Sequence, residues 1–289
     1  MPDEYTLDKP RVRAAFDRAA EGYDAAAVMQ QEVRQRMLER LDFIRITPQR
    51  ILDAGAGTGH AAAALAARFA GSRVVQLDLA LRMLQVSAAR RPWWRRLFGD
   101  SQAYLGADIE QLPLASASFD FYWSNLAIQW CNDPDQVFRE AARVLKPGGL
   151  LMFSTMGPDT LKELRAAAAA DPGSVHVSRF IDMHDIGDAL VRAGFSAPVM
   201  DVEHLVLTYE DVFGVMRDLK RIGARNATLG RRRGLEGKRF LQELRARYET
   251  FRRDGRLPAT FEVIYGHAWN GEQAALPAGT RPIRMHRRS

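Results

Sequence analysis

A glycine loop between an apolar segment and an alanine-rich segment constrains the fold more than any other feature of the sequence. Residues 51–60 read Ile-Leu-Asp-Ala-Gly-Ala-Gly-Thr-Gly-His, and alanine fills most of residues 61–67. Glycine lets the backbone turn tightly and come close to a ligand, and the first turn of a helix offers unpaired N–H groups. The segment therefore predicts a short strand, a ligand-binding loop and a helix, in that order.

The same alternation of strand-like and helix-like segments continues along the chain. Strands are predicted at residues 50–53, 73–78, 102–106, 119–123, 150–155, 199–209 and 260–269. Helices are predicted within residues 10–45, with a break near Gly22, and at residues 60–70, 80–90, 134–145, 159–169 and 184–193. Strands separated by helices favour a parallel sheet covered on both faces. We therefore expect an α/β fold with a doubly wound, mostly parallel, seven-stranded, Rossmann-like sheet and its site at the carboxyl ends of the strands.

The charge distribution suggests how the chain divides. The net charge is +6, but residues 1–210 carry 23 Lys and Arg against 27 Asp and Glu, whereas residues 211–258 carry 14 against 6. A chain of 289 residues favours one large domain or one domain with an appendage. We expect residues 1–209 and 259–280 to form the core, residues 210–258 to form a basic helical insertion that acts as a lid, and residues 281–289 to form a disordered basic tail.

Several classes of protein are disfavoured. No apolar run reaches the roughly 18 residues of a membrane span, and the N-terminal residues lack a signal-peptide core. We therefore expect a cytoplasmic protein without a membrane partner. A single cysteine, Cys131, excludes an internal disulfide and a cysteine-ligated metal site. No metal site is expected, and the segment Asp182-Met183-His184-Asp185 is interpreted as a helix cap.

The acidic residues at the predicted strand ends indicate the ligand. A dinucleotide loop has a third glycine where this chain has His60, and a carboxylate such as Asp53 repels phosphate but accepts from an ammonium group. This favours S-adenosyl-L-methionine as the cofactor. Asp78 is placed to accept from the ribose hydroxyls. Asp108 and Ile109 are placed to contact the adenine. The predicted cofactor-binding residues are Asp53, Gly55, Gly57, Gly59, Asp78, Leu79, Met83, Asp108, Ile109 and Asn125.

Longer segments carry a resemblance to a known family. They are Arg18-Ala19-Ala20-Glu21-Gly22-Tyr23, Gly106-Ala107-Asp108-Ile109-Glu110-Gln111-Leu112-Pro113, Ser124-Asn125-Leu126-Ala127-Ile128-Gln129-Trp130-Cys131, Arg217-Asp218-Leu219-Lys220-Arg221-Ile222-Gly223-Ala224 and Gly255-Arg256-Leu257-Pro258-Ala259-Thr260. The glycine loop resembles the first motif of the class I methyltransferases. Together the segments, over about residues 10–270, resemble the biotin-pathway malonyl-acyl-carrier-protein O-methyltransferases.

The resemblance implies a reaction and a substrate. The methyl group of S-adenosyl-L-methionine would pass to the free carboxylate of a malonyl thioester on acyl carrier protein or coenzyme A, giving the methyl ester that primes pimeloyl and biotin synthesis. A carboxylate with a pKa of roughly 4 is ionised at neutral pH, so we expect no general base. An arginine fork would hold the carboxylate. Arg217 is the first candidate, with Arg225 and Arg179 as alternatives, and Tyr23 and Trp130 are expected to wall the catalytic site.

The basic segments suggest a partner and leave alternatives open. Acyl carrier proteins are acidic, so the basic insertion, which includes Arg221, Arg225, Arg231, Arg232, Arg233, Lys238 and Arg239, is expected to face the carrier. A second patch spans residues 90–96. A related branch, the arginine hydroxylase assembly factors of respiratory complex I, shares part of the same segments, and it stays open as an alternative. An RNA-modifying methyltransferase is a further alternative, although we expect no nucleic-acid partner because an Asn-Pro-Pro-Tyr type signature is missing after the fourth strand.

Overall fold

A computed structural model describes residues 5–91, 102–169, 180–224, 227–228 and 238–271. The strands are β1 (Arg50–Ala54), β2 (Arg73–Asp78), β3 (Gln102–Gly106), β4 (Phe119–Asn125), β5 (Leu145–Met156), β6 (Phe195–Tyr209) and β7 (Leu257–Asn270). The helices are α1 (Lys9–Ala19), α2 (Tyr23–Ala26), α3 (Val28–Arg40), α4 (His60–Arg68), α5 (Leu81–Ala89), α6 (Pro134–Val144), α7 (Lys162–Ala168), α8 (Met183–Arg192), α9 (Val212–Arg221) and α10 (Lys238–Tyr248). Short 3₁₀ turns cover Leu41–Phe43, Ile128–Trp130 and Glu249–Phe251.

The described strands form one seven-stranded sheet in the order β3-β2-β1-β4-β5-β7-β6. The strands from β3 to β5 pair in parallel, and β7 runs antiparallel between β5 and β6. This confirms the predicted doubly wound, mostly parallel sheet. The chain order reverses beside β1, which pairs with β2 on one side and β4 on the other. Such a reversal leaves a crevice at the carboxyl ends of these strands, where ligands bind in open α/β sheets.

Both faces of the central strands are buried under helices. Along β5, Leu150 and Met152 belong to one buried cluster, whereas Leu151 and Phe153 belong to the other. Successive side chains of a strand point to opposite faces, so a strand covered on both sides reads as a continuous apolar run. The central strands are therefore fixed by packing on both sides, and they fix the positions of the polar residues at their carboxyl ends.

Four elements begin three or more residues away from their predicted starts. Strand β5 begins at Leu145 instead of residue 150. Helix α7 begins at Lys162 instead of residue 159, because Leu161 adopts a left-handed conformation with φ of 55°. Strand β6 begins at Phe195, four residues early, with a bulge between Ser196 and Val199. The bulge breaks the regular alternation that marks a strand, so the sequence pattern hides this first part. Strand β7 likewise begins early, at Leu257.

The N-terminal segment and the segment between β6 and β7 meet above the sheet edge. Helices α9 and α10 lie in the predicted insertion. Leu7 forms an isolated antiparallel bridge with Thr228, and the Asp8 N–H donates to the Ala227 carbonyl at 2.9 Å. Asn132 holds the same strand-like segment through two hydrogen bonds to the Leu7 backbone, at 2.7 and 3.1 Å. No helix in the described part of the chain is both long and apolar enough to cross a membrane.

Candidate active site

The glycine loop is pressed against the ends of two strands. The N–H groups of Gly55 and Ala56 both donate to the Leu77 carbonyl at the end of β2, at 2.8 and 2.9 Å. A Cβ atom on Gly55 would lie 2.3 Å from the Cβ of Ala127, which follows β4. Only a residue without a side chain lets the backbone come this close to Ala127, as the glycine at this point of the sequence predicts. Helix α4 begins at His60, directly after the loop.

A large cavity opens where β1 to β4 end, and it gathers most of the predicted cofactor residues. Its wall includes Gly55, Gly57, Asp78, Leu79, Met83, Asp108, Ile109 and Asn125, together with the predicted catalytic-site residues Tyr23 and Trp130. A smaller polar cavity adjoins it and is bordered by Asp53 and Thr58. Gly59 lies behind the loop, where a Cβ atom would meet the Ser87 Oγ at 1.9 Å. Gly59 thus shapes the loop without facing either cavity.

Asp78 is held by the loop and faces the large cavity. One carboxylate oxygen accepts from the Gly57 N–H and the other from the Ala80 N–H, both at 2.8 Å. Burial raises the pKa of Asp78 to about 6, although these two backbone donors oppose the shift. Each carboxylate oxygen has lone pairs left over, so Asp78 can still accept from a vicinal diol in the cavity.

Asp108 shares its site with a lysine that the sequence analysis missed. The Lys9 Nζ lies 3.0 Å from each oxygen of Asp108 and also contacts Glu110. Burial lowers the pKa of Lys9, but the neighbouring carboxylates of Glu110 and Asp108 raise it above its ordinary value. Burial raises the pKa of the Cys131 thiol, which therefore stays protonated. The Lys9 ammonium ties the first helix to this end of the cavity.

The small polar cavity places opposite charges beside each other. Asp53 is fully buried, and its Oδ2 has no hydrogen-bond partner in the described structure. Burial, followed by the charge of Asp78, raises the pKa of Asp53 to about 7. Arg34 on α3 lines the same cavity, and burial lowers its pKa while the charge of Asp53 raises it. A free carboxylate oxygen and a guanidinium group around one cavity can receive the ammonium and carboxylate of an amino-acid moiety.

Helix α2 covers the junction of the two cavities. Tyr23, its first residue, lines both of them. Burial and then the charge of Asp78 raise the Tyr23 pKa, so its hydroxyl stays protonated. The next residue, Asp24, accepts from the Thr58 Oγ1 at 2.6 Å, lies 3.2 Å from the His60 Nε2 and forms an ion pair with Arg90. These contacts fasten α2 to the glycine loop.

The far side of the large cavity is mostly apolar. Its wall there comprises Met29, Met156, Leu161, Leu164, Phe180, Leu219, Ile222 and Phe261. Trp130 packs edge-to-face on Phe16 at 5.1 Å and closes one side. Two amide side chains, Gln30 and Gln129, are among the polar groups on the wall. The Gln30 Oε1 is buried without a hydrogen-bond partner in the described structure, so it is available to a ligand.

The predicted carboxylate clamps are not among the described residues of this wall. Arg217 has a side chain that is 66% exposed, and it lines a separate surface groove. Arg179 and Arg225 lie outside the described residues, as does most of the basic patch at residues 90–96. Among the described residues of the wall, the side-chain cation is Lys9, which is already paired. Asp182 caps α8 by accepting from the His184 N–H at 2.8 Å.

Comparisons with known proteins agree with the site. A family profile described as "Methyltransferase domain" matches residues 52–153. A malonyl-[acyl-carrier protein] O-methyltransferase of Methylovorus sp. is 64% identical, with 99% of this chain and 98% of that protein covered. One of Gallionella capsiferriformans is 58% identical over 92% of each chain. In fold, the crystal structure of YcgJ from Bacillus subtilis covers 84% of this chain and 99% of its own, with a TM-score of 0.59 at 17% identity.

Identity of this degree over nearly the whole chain is that of one family, and the likeness in fold extends to more distant proteins. The matched profile begins in β1 and ends in β5, so it covers the strands whose ends form the cavities. The chain therefore belongs to the malonyl-[acyl-carrier protein] O-methyltransferases, a family of class I methyltransferases.

Proposed function

We propose that this protein transfers a methyl group from S-adenosyl-L-methionine to the free carboxylate of a malonyl thioester on acyl carrier protein. The observation that carries the proposal is a single cavity whose acidic half opens into an apolar half. The acidic half suits a nucleoside joined to an amino acid, and the apolar half suits an acyl chain. The methyl ester hides the malonyl charge, and such an ester can prime the pimeloyl chain of biotin.

The residues present fit the cofactor. Asp53 would accept from the ammonium group, because its Oδ2 is buried without a partner, and Arg34 would pair with the carboxylate. Asp78 would accept from the ribose hydroxyls. The adenine would lie beside Asp108 and Ile109, near Lys9. When bound, the cofactor supplies an electrophilic methyl group on a sulfonium ion.

The protein then has to orient the nucleophile and exclude water. A malonyl carboxylate is ionised at neutral pH, so its oxygen can attack the methyl carbon without losing a proton first. Orientation of two bound reactants is worth roughly 7–11 kcal/mol of the barrier. Tyr23 and Trp130 line the cavity, and the Gln30 side chain, turned so that its Nε2 faces the substrate, would donate to one carboxylate oxygen while the other attacks. A neutral donor withdraws less charge from the attacking oxygen than a guanidinium does. The arginine fork stays a prediction for Arg179 and Arg225.

The reaction is tested by incubating the protein with methyl-labelled S-adenosyl-L-methionine and malonyl-acyl carrier protein. We expect a labelled ester that is released by base, and no label on acetyl-acyl carrier protein, which has no free carboxylate. Absence of label on the malonyl form would reject the proposal. It would favour the alternative of an arginine hydroxylase assembly factor, which has the same cofactor-binding fold and acts on a protein partner.

We further propose that the protein works in the cytoplasm on an acidic carrier, with neither nucleic acid nor a membrane as partner. Residues 1–210 carry more acidic than basic residues, 27 against 23. A protein that binds polyphosphate backbones usually spreads a surplus of Lys and Arg over its binding face. The surplus here is concentrated in the segment that follows β6, which suits a local contact with one acidic partner.

Cofactor binding is expected to weaken as the pH falls below 7. The free protein has Asp53 with a pKa near 7, and the bound ammonium needs the ionised carboxylate. Below that pH, binding must release a proton, so the dissociation constant rises by about tenfold per pH unit. Isothermal titration at pH 8, 7 and 6 measures the effect. In Asp53→Asn we expect weaker binding at pH 8 and a nearly flat profile between pH 8 and 6.5. An unchanged slope in that variant would show that another group titrates.

A further inference from the structure

A groove with four basic side chains lies on the surface between α1, α2 and α9. Its wall comprises Ala15, Arg18, Ala19, Gly22, Ala25, Ala26, Arg217, Lys220 and Arg221, and we call it the basic groove. Apart from the four basic residues, the wall consists of alanine and glycine, whose small or absent side chains leave room for a ligand. The charges come from two helices that are about 200 residues apart in the sequence.

The positive charge of the basic groove is weakly compensated. The nearest carboxylates to Arg217 and Arg221 are Asp211 and Asp218, each at 3.9 Å, at the limit of an ion pair. Both arginine side chains are largely exposed, at 66% and 70%. The acidic Glu21, near Arg18 in the sequence, is instead paired with Arg82 at 3.0 Å. The groove therefore presents several cations to an incoming anion.

A further cavity, which we call the channel, adjoins both the basic groove and the cofactor cavity, the large cavity at the ends of β1 to β4. Its wall comprises Ala26, Val28, Met29, Gln30, Val206, Leu207, Thr208, Tyr209, Asp218, Leu219, Ile222 and Phe261. It shares Ala26 with the basic groove. At its inner end it shares Met29, Gln30, Leu219, Ile222 and Phe261 with the cofactor cavity. The three spaces thus lie side by side with shared wall residues at each boundary, and the channel, whose wall is mostly apolar, separates the basic groove from the cavity that Gln30 lines.

We propose that the basic groove and the channel form the docking site and access route for the phosphopantetheine arm of the malonylated carrier protein. The phosphodiester and the acidic carrier surface would meet the cations of the groove, since guanidinium groups hold phosphate oxygens through paired hydrogen bonds. The uncharged arm would lie in the channel, and its malonyl end would reach Gln30. The inference rests on the proposed function, and it places Arg217 at the outer mouth instead of on the reacting carboxylate.

The charge of the groove is tested with Arg18→Glu/Arg221→Glu, and with Arg45→Glu/Arg139→Glu as a matched control that makes the same charge change outside the groove. We expect kcat/KM for malonyl-acyl carrier protein to fall by about 30-fold or more in the groove variant, since charge reversal at the edge of an interface slows association. Malonyl-pantetheine, which has neither the phosphate nor the protein, should change less than about twofold. Malonyl-CoA, which has phosphates but no carrier, separates the phosphate contact from the protein contact.

Three results would overturn the groove proposal: an unchanged kcat/KM with the carrier substrate, an equal loss with malonyl-pantetheine, or an equal loss in the control variant. The melting temperature and cofactor affinity of each variant show whether it is folded. If the wild-type protein methylates no malonyl thioester at all, the proposed function fails. If it methylates them and the groove variant matches it, only the docking proposal fails.

The channel is tested by narrowing it from either wall. Ala26→Phe acts at the junction with the groove, and Val206→Trp acts from the opposite wall, where Val206 is 54% exposed and a larger side chain leaves the core intact. Both variants are expected to lower kcat/KM at least about tenfold for malonyl-pantetheine and for the carrier substrate alike, because both must pass the channel. Affinity for S-adenosylhomocysteine should stay within about twofold. Full activity in the folded Val206→Trp variant would overturn the route.

Discussion

Asp78→Ala is expected to weaken the binding of S-adenosyl-L-methionine by roughly 100- to 1,000-fold. The substitution removes a charged acceptor for two ribose hydroxyls, and each hydrogen bond to a charged group is worth about 1.5–3 kcal/mol. It also leaves the Gly57 and Ala80 N–H groups without the acceptors that hold the loop at 2.8 Å. Isothermal titration of the purified variant, with S-adenosylhomocysteine as a stable probe, measures the loss.

Asp78→Asn is the matched variant for the charge alone. It keeps one acceptor oxygen and the size of the side chain, so we expect a smaller loss of affinity than in Asp78→Ala. Because the folded pKa of Asp78 is raised to about 6, its ionised form opposes folding above the pH at which an unfolded aspartate ionises. Removal of this charge offsets the loss of one of the two acceptors for the Gly57 and Ala80 N–H groups, so the free energy of unfolding of the ligand-free Asn variant at pH 8 should stay within about 1 kcal/mol of that of the wild type. Cofactor affinity that survives in both variants would contradict the ribose role.

Gly59→Ala is expected to lower the free energy of unfolding by about 3–5 kcal/mol. Gly59 has φ of +82°, which is strained for any residue with a Cβ atom. The added methyl group would also meet the Ser87 Oγ at 1.9 Å and the Gln76 Oε1 at 2.7 Å. Those two side chains are buried and hydrogen-bonded to each other at 2.6 Å, so they cannot move aside freely. Chemical denaturation followed by circular dichroism gives the change.

Two other glycines separate strain from crowding. Gly71 has φ of +87° and no atom within 4 Å of an added Cβ, so Gly71→Ala should cost only the conformational strain, about 1–2 kcal/mol. Gly57 is also uncrowded, but its space belongs to the cofactor cavities. Gly57→Ala should therefore fold and yet bind the cofactor poorly. Equal destabilisation by Gly59→Ala and Gly71→Ala would show that the contact with Ser87 has no energetic weight.

The residues at the strand ends could be predicted because local sequence fixes them. A carboxylate within two residues of the end of a parallel strand lies at the carboxyl edge of the sheet, whatever the helices do, and Asp53, Asp78 and Asp108 all follow that rule. The glycine loop is equally local. The start of α7 could not be predicted, because Leu161 adopts a left-handed conformation that its residue type disfavours. Packing against neighbouring elements overrides that preference.

Tyr23 was predicted, but the site residues on helix α3 were missed for a different reason. Gln30 and Arg34 lie four residues apart on α3, next to the buried stripe of Met29, Val33 and Met37. That spacing places them on one helix face, but it does not say that the face meets the glycine loop. Arg217 illustrates the same gap, since the family-like segment around it gives its position in the chain and not the direction of its side chain. The spacing of residues along a helix shows which of them share a face. It does not show which part of the protein that face contacts, because this depends on tertiary packing.

The bridge between Leu7 and Thr228 has a consequence for how the molecule folds. Residues 5–8 and 227–228, which we call the cover, are more than 200 residues apart, so closing the loop between them costs entropy before they can pair. We therefore expect the cover to close after the sheet has formed, and among the described residues its two segments are joined by the Leu7–Thr228 bridge and the Asp8–Ala227 hydrogen bond. Amide protons of Asp8 and its neighbours should exchange with solvent faster than those of β1 and β4. Ligand occupancy should slow that exchange, so the cover can open for turnover while the sheet stays intact.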